Sequence, residues 1–314
     1  MQGTRRAVLD AIAAGPISGP VLARELEVSR AAVWKHVETL REVGFEIGSG
    51  EEGYVLDSVP EYGGPAIEFG LEAPFEIEFH DSLPSTNARA RDLAASGESD
   101  VVVLADAQTG GRGRLDREWN SPSGGVWLSA LVRPRLPPAH APLYTLAAAV
   151  ATTRAVRATG VDAGLKWPND VLVRGRGSGR ERKLAGILTE MRGEADRIAW
   201  MVVGIGLNAN VDSGDLPADA TSLREAVGDV PRRDLVQRIL REFEALRTDP
   251  DSILPAWREH ALTLGRRVRV ETARGESVGR AVDVAFPGGL VLETANGRTT
   301  VSVGDCEHLR PAAE

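Results

Sequence analysis

The stretch SRAAVWKHVETLREVG, residues 29–44, decides how the first part of the chain is read. Ser29 is an N-cap residue type placed directly before a periodic run. Val33, Val37 and Leu40 then fall on one helical stripe, and Gly44 supplies the stop. On its N-terminal side, TRRAVLDAIAAG (4–15) places Val8, Ala11 and Ile12 at helical spacing and breaks at Gly15-Pro16. SGPVLARELEVS (18–29) adds a short second helix with Val21, Leu22 and Leu26 inward. A short helix, a tight turn and a longer helix is helix-turn-helix spacing. On the C-terminal side, GFEIGSGEEGYVL (44–56) alternates apolar and polar residues around glycines, as a two-stranded wing does. Residues 1–60 are therefore expected to form a winged helix-turn-helix. Ser29, Arg30, Ala31 and Lys35, at the open start of its third helix, suit a DNA major groove. A plain three-helix bundle shows the same stripes. Residues 1–60 also carry six Lys/Arg against nine Asp/Glu, with Glu51 and Glu52 on the wing where DNA would favour a cation.

The whole chain has 314 residues, of which 42% are hydrophobic and 26% charged, enough for two or three domains. Its net charge of −8 excludes a protein that coats nucleic acid, so any DNA contact is local. Cys306 is the single cysteine, which excludes an internal disulfide and a cysteine-based metal cluster. The start MQGTRRAVLD lacks the apolar core of a secretory signal. No segment approaches the roughly 18 apolar residues of a membrane span, so a cytoplasmic location is expected. Of 37 basic residues only Lys35, Lys166 and Lys183 are lysines, which sharpens the question of what an ammonium does at those places.

Past a Pro/Gly-rich linker at 61–74, residues 75–264 read as an α+β domain around a mixed sheet. DVVVLADAQ (100–108), GVWLSALVRP (125–134), AGILTEM (185–191) and RIAWMVVGIGLNAN (197–210) are strand-like, whereas YTLAAAVATTRAVRATG (144–160) and RRDLVQRILREFEALR (232–247) are periodic helices. From 265 to 314, four short strands between glycine turns predict a small β-barrel or sandwich.

Within the central segment, GRGRLDREW (111–119) places three arginines and two glycines within seven positions. Glycines let backbone N–H groups close on an anion and guanidinium forks add charge-assisted bonds, so this loop suits a phosphate, a carboxylate or both. In KWPND (166–170), Pro168 ends a strand and leaves Asn169 and Asp170 projecting from its rim. With these stand STN (85–87), Gln108, RKLAGIL (182–188) and GIGLN (204–208), in that order. Together with the helix-turn-helix stretch and the small β domain, the set resembles the biotin protein ligases, and among them the bifunctional ligases that also repress biotin operons. The resemblance covers nearly the whole chain.

That resemblance implies an N-terminal winged helix-turn-helix, a central ligase domain and a C-terminal SH3-like β-barrel. It implies two steps: biotin and Mg-ATP give biotinyl-5′-AMP, which then acylates one lysine of a biotin carboxyl carrier domain. It further implies operator DNA as a partner and a homodimer when the adenylate is bound. Ser85, Thr86, Asn87 and Gln108 then face biotin, joined by Gly111, Arg112, Gly113, Arg114, Lys183 and Gly186. Arg112, Arg114, Trp119, Lys166, Asn169, Lys183 and Asn208 face ATP or the adenylate, with Arg114, Lys183 and Asp170 catalytic. Asp170 either holds Mg²⁺ through water or accepts the proton of the incoming amine. Trp119 and Trp127 pack on adenine or the loop, or belong to the core. The loop is expected to order when ligand arrives.

The sequence departs from the family after GRGR, where Leu115-Asp116 stands and a further glycine is usual. Asp116 either weakens anion binding or pairs with Arg117. Two other readings share parts of the pattern: a biotin-responsive DNA-binding regulator without significant ligase activity, and a lipoate-type ligase on the related scaffold.

Overall fold

A computed structural model describes residues 3–174, 180–194, 196–273 and 275–309. Its contacts divide the chain into two units, 1–72 and 73–314.

In the first unit, helices α1 (Gly3–Ala13), α2 (Gly19–Glu25) and α3 (Arg30–Glu42) precede the hairpin β1 (Glu46–Gly50) and β2 (Gly53–Ser58). The Ser29 hydroxyl accepts from Ala32 N at 3.1 Å, which fixes the start of α3. Val8, Leu9 and Ile12 of α1, Leu22 of α2, and Val33, Val37 and Leu40 of α3 form a buried core, each large side chain contributing about 2 kcal/mol by its burial. Arg41 anchors the hairpin to α3, donating Nε and Nη2 to Ile47 O at 3.2 and 2.6 Å. The segment expected as a linker at 61–74 contains a short helix, α4 (Gly64–Glu68), with Ile67 fully buried. Phe69 packs edge-on against Phe45 at 6.3 Å. Apolar side chains among the prolines and glycines close this unit's core, which turn-residue composition alone conceals.

The second unit begins β3 (Glu76–Leu83), α5 (Thr86–Ala95), β4 (Val101–Gln108), β5 (Val126–Val132) and α6 (Pro142–Arg157). It continues β6 (Ala163–Lys166), β7 (Asp170–Arg174), β8 (Glu181–Gly193), β9 (Ile198–Leu207), α7 (Leu223–Val227), α8 (Arg232–Thr248) and α9 (Ile253–His260). Seven strands form a mixed sheet in the order β3-β4-β5-β9-β8-β7-β6, parallel only between β3 and β4. The α5 crossover lies between those two strands, as a parallel pair requires. Its Ala90 and Ala94 pack on Val103, Leu131 and Val202. Alanine-rich α6 is buried along its length and covers the other face, where Thr145 meets Thr189 through their hydroxyls at 2.8 Å.

The C-terminal strands β10 (Arg267–Thr272), β11 (Gly275–Ala285), β12 (Gly289–Thr294), β13 (Gly297–Val301) and β14 (Asp305–His308) make an antiparallel sheet in the order β13-β12-β11-β10-β14. The expected closed barrel is not formed: the edge strands β13 and β14 share no hydrogen bonds among the described residues. The connection Ser302–Gly304 breaks the ladder between them while keeping them near each other. The fifth strand, β14, escapes the alternation rule because Asp-Cys-Glu-His offers a single apolar residue. Trp167 fastens this sheet to the larger one. Fully buried, it donates its backbone N–H to Thr263 Oγ1 and its indole N–H to Gly288 O, both at 2.9 Å.

Candidate functional site

Residues directly opposite in an antiparallel sheet share a face. Asp170, Gly186 and Gly206 are opposite one another across β7, β8 and β9, as are Leu188, Gly204 and Ser129 across β8, β9 and β5. This is the face that α5 covers only in part. Its uncovered portion has glycines where side chains would otherwise stand, and above it opens a cavity of about 900 Å³. A Cβ on Gly204 would lie 2.2 Å from Asn87 Oδ1, and one on Gly206 would lie 2.7 Å from Trp119 Nε1. The glycines of GIGLN therefore make a backbone floor on which other groups lie.

One wall is the N-terminus of α5. Ser85 caps it, its hydroxyl accepting from Ala88 N at 3.4 Å. The Ser129 hydroxyl points at both Thr86 Oγ1 (2.7 Å) and Asn87 Oδ1 (2.6 Å), and Asn87 Nδ2 donates to Glu190 Oε2 at 2.7 Å. Glu190 is also ion-paired with Arg91. Gln108 Oε1 accepts from Thr86 N and Oγ1, while its Nε2 donates to Ser121 Oγ, which donates to Trp119 O. A continuous polar chain thus runs from Ser129 in the sheet to the arginine loop.

That loop forms a hairpin: Gly113 N donates to Arg117 O at 2.8 Å and Trp119 N to Gly111 O at 3.0 Å. Gly111 is required where the strands of this hairpin touch, since its Cβ would lie 2.4 Å from Trp119 O. Leu115 and Asp116 both sit in the left-handed region, at φ 56° and 55°. Arg114 Nη1 donates to Asn169 Oδ1 at 3.1 Å and Nη2 to Gly304 O at 2.8 Å. Arg117 bonds Asp305, not Asp116, at 2.6 Å. Lys183 Nζ stands 2.7 Å from Asp170 Oδ1 and 5.1 Å from the centre of the Trp119 ring. The approach to Asp170 is an ion pair outside hydrogen-bond geometry, leaving that buried oxygen without a hydrogen-bond partner. Asn208 is buried and donates Nδ2 to Thr221 O at 3.0 Å, while its Oδ1 has no partner.

The cavity therefore gathers Ser85, Thr86, Asn87, Gln108, Arg112, Gly113, Arg114, Trp119, Asn169, Asp170, Lys183, Gly186 and Asn208. Two expected residues are not on its lining. Gly111 is tucked inside the hairpin. Lys166 ends β6 at the C-terminal sheet, where its charge acts on Cys306 and His308. Trp127 is core, with its indole N–H bonded to Pro122 O at 2.8 Å. Among the described residues, no three His, Cys, Asp or Glu side chains are placed to hold a metal. No helix there is long and apolar enough to cross a membrane.

Residues 79–208 match the Biotin/lipoate A/B protein ligase family, 263–309 the Biotin protein ligase C terminal domain, and 5–63 an HTH domain. The Bifunctional ligase/repressor BirA of Bacillus subtilis is 38% identical over 311 residues, covering 93% of each chain. The chain belongs to the bifunctional biotin protein ligases. A biotin-(acetyl-CoA-carboxylase) ligase of Mycobacterium tuberculosis is 38% identical over 240 residues, covering 72% of this chain and 86% of its own. The biotin protein ligase of Aquifex aeolicus, solved with biotin and ATP, superposes with a TM-score of 0.62 at 26% identity, over 74% of this chain and 99% of that one.

Three features around this cavity escape sequence reading. Ser129 is the one polar residue of the fully buried strand β5, and Glu190 lies in the half-buried part of β8 beside Thr189, where an acidic side chain draws no notice. Asp305 opens β14, 188 residues downstream of the Arg117 it meets. In the HTH domain, Arg30, Ala31 and Lys35 are exposed as expected, and Ser29 spends its oxygen on the helix cap. Trp34, not one of the expected DNA contacts, is 58% exposed on the same face.

At the seam of the two sheets, Glu181 receives Arg266 through both oxygens (2.5 and 3.0 Å) and meets His308 Nδ1 at 3.2 Å. Burial pushes its carboxyl up, but the hydrogen bonds from Arg266 and His308 outweigh that and hold it below the ordinary range. His308 is lowered chiefly by burial, against the opposing pull of Glu181.

Proposed function

We infer that the cavity carries out both steps of protein biotinylation. Biotin's carboxylate attacks the α-phosphorus of ATP, pyrophosphate leaves, and a carrier lysine amine then attacks the mixed anhydride's carbonyl and expels AMP. The observation that carries this reading is the convergence of Lys183, Arg114 and Arg112 over a glycine floor. A carboxylate meeting a phosphate suffers like-charge repulsion, and fixed cations around the meeting point are what remove it.

The urea ring of biotin suits the Ser85–Asn87 wall, where hydroxyl and amide groups supply both donors and acceptors beside Leu188 and Ile205. Its carboxylate then lies toward Lys183. Arg112 and Arg114 serve the phosphate, and the unpartnered Asn208 oxygen offers an acceptor to the adenine amine. Trp119, lying on the glycine floor beside Lys183, suits a stacking role on the base. Lys166 would serve pyrophosphate only after a rearrangement that brings it to the cavity. Asp170 lines the cavity and fixes the Lys183 ammonium through Oδ1, a position that suits either proposed duty. Among the described residues no three-ligand cage offers itself to magnesium, which would instead be held by nucleotide phosphates and waters near Asp170 and would neutralise phosphate charge.

The exposed start of α3 supports operator binding, with repression coupled to a homodimer formed when the adenylate fills the cavity. We read the C-terminal sheet, whose edge strands are joined by three residues, as an SH3-like barrel left unclosed. A cytoplasmic location accords with a carboxylase carrier domain and operator DNA as partners.

The test is the intact mass of a biotin carrier domain after incubation with the protein, biotin and Mg-ATP. One added biotinyl group, absent without ATP and lost in Lys183→Ala, is expected. No gain with biotin bound would overturn the ligase reading in favour of a regulator, and preferential transfer of lipoate would overturn the choice of substrate.

A further inference from the structure

The C-terminal sheet reaches into the ligase cavity through one turn. Gly304 is pressed onto β10, since a Cβ there would lie 2.6 Å from Val270 Cγ1 and 2.7 Å from Glu271 O. Asp305 pairs with Glu271 across β10 and β14, so its side chain is carried on a fixed backbone. From this turn the Gly304 carbonyl accepts from Arg114, and Asp305 lines the cavity.

The charges are not evenly shared. Arg117 Nη2 donates to Asp305 Oδ2 at 2.6 Å, while Asp305 Oδ1 stays 3.9 Å from Arg114 Nη1. Arg114 itself is held by two neutral acceptors, Asn169 Oδ1 and Gly304 O. Its positive charge is thereby left available, with the nearest carboxylate engaged by another arginine. Were Arg117 removed, Asp305 would stand unpaired beside Arg114 at the edge of a cavity meant for anions. It would compete for the guanidinium and repel a phosphate.

We propose that Asp305 and Arg117 form a clasp between the C-terminal domain and the arginine loop, which keeps the loop closed over the adenylate and keeps Asp305 off Arg114. Both are positioning residues: they act on the adenylate through Arg114. The inference rests on the ligase reading of the cavity and adds a role for the C-terminal domain in retaining the intermediate.

The experiment follows release of preformed biotinyl-5′-AMP from the full chain, wild type against Arg117→Gln, Asp305→Asn and the double variant. An exposed pair contributes modestly, so Asp305→Asn alone is expected to speed release by about two- to fivefold. Arg117→Gln, which also frees the carboxylate, is expected to speed it by about tenfold. The double variant is expected to release more slowly than Arg117→Gln, because the second change removes the carboxylate that the first set loose. A role in folding alone would make the double variant as fast as or faster than that single one, and such a result would overturn the clasp. If wild type forms no adenylate, the ligase reading falls and the clasp with it. Adenylate formation in wild type without the partial rescue overturns the clasp alone.

Discussion

Replacing Gly204 by alanine tests whether the bare floor of the sheet sets biotin recognition. The new Cβ would lie 2.2 Å from Asn87 Oδ1 and 3.0 Å from its Cγ. To regain an ordinary 3.4 Å separation the amide must retreat by about 1.2 Å. Asn87 cannot do so freely, because Glu190 holds its Nδ2 at 2.7 Å and Ser129 approaches its Oδ1 at 2.6 Å. Ser129 also points at Thr86, so the shift propagates along the wall proposed to face the urea. Biotin then forfeits its hydrogen bonds to Asn87 and Thr86, at about 1 kcal/mol each. A loss of about 2 kcal/mol is roughly a 30-fold rise in the Kd for biotin. Titration calorimetry with biotin measures it, alongside thermal melting to show that overpacking has cost no more than about 1–3 kcal/mol of stability. Gly206→Ala is the contrast: its Cβ meets Trp119, a loop side chain that can swing, so biotin affinity is expected to change by less than about threefold. Wild-type biotin affinity in a well-folded Gly204→Ala protein would refute the assignment of the Ser85–Asn87 wall to biotin.

Trp34→Ala should weaken operator binding by about tenfold, read by electrophoretic shift, because α3 is the helix proposed to enter the groove and its exposed indole would offer apolar contact to base edges. Its thermal midpoint should stay unchanged, since the side chain buries little. Stability should fall on acidification from neutral pH. His308, lowered by burial, contributes fully above the ordinary imidazole value of 6.5 and loses that contribution as pH falls through its depressed folded value. Glu181, also lowered, contributes above its ordinary value of 4.5 and loses that at still lower pH. His308→Gln should flatten the slope of melting temperature just below pH 6.5 without abolishing it, as His36 and His260 are lowered by burial too. Cys306 is buried and its thiol is pushed up to about 11, so a thiol reagent at mild alkaline pH should leave the native protein unmodified and label one site after denaturation.

What the sequence alone determined is local or collinear. The cap at Ser29, the stripe Val33–Val37–Leu40 and the glycine stops are written in neighbouring residues, and the helix-turn-helix follows from them. The ordered motifs, from STN to GIGLN, named the family because several short patterns in sequence carry more information than any one of them. Tertiary structure decided which of those residues meet. Lys166 and Asp170 are strand neighbours, yet only Asp170 lines the cavity, because β6 ends against the C-terminal sheet. Ser129 and Glu190 enter the site through cross-strand register with Gly204 and Val202, a relation between strands about 75 and 12 residues apart that no local period encodes. Asp305 reaches Arg117 over 188 residues, so the question of which charge answers the arginine loop was settled by the folding of two sheets together, not by the neighbouring Asp116.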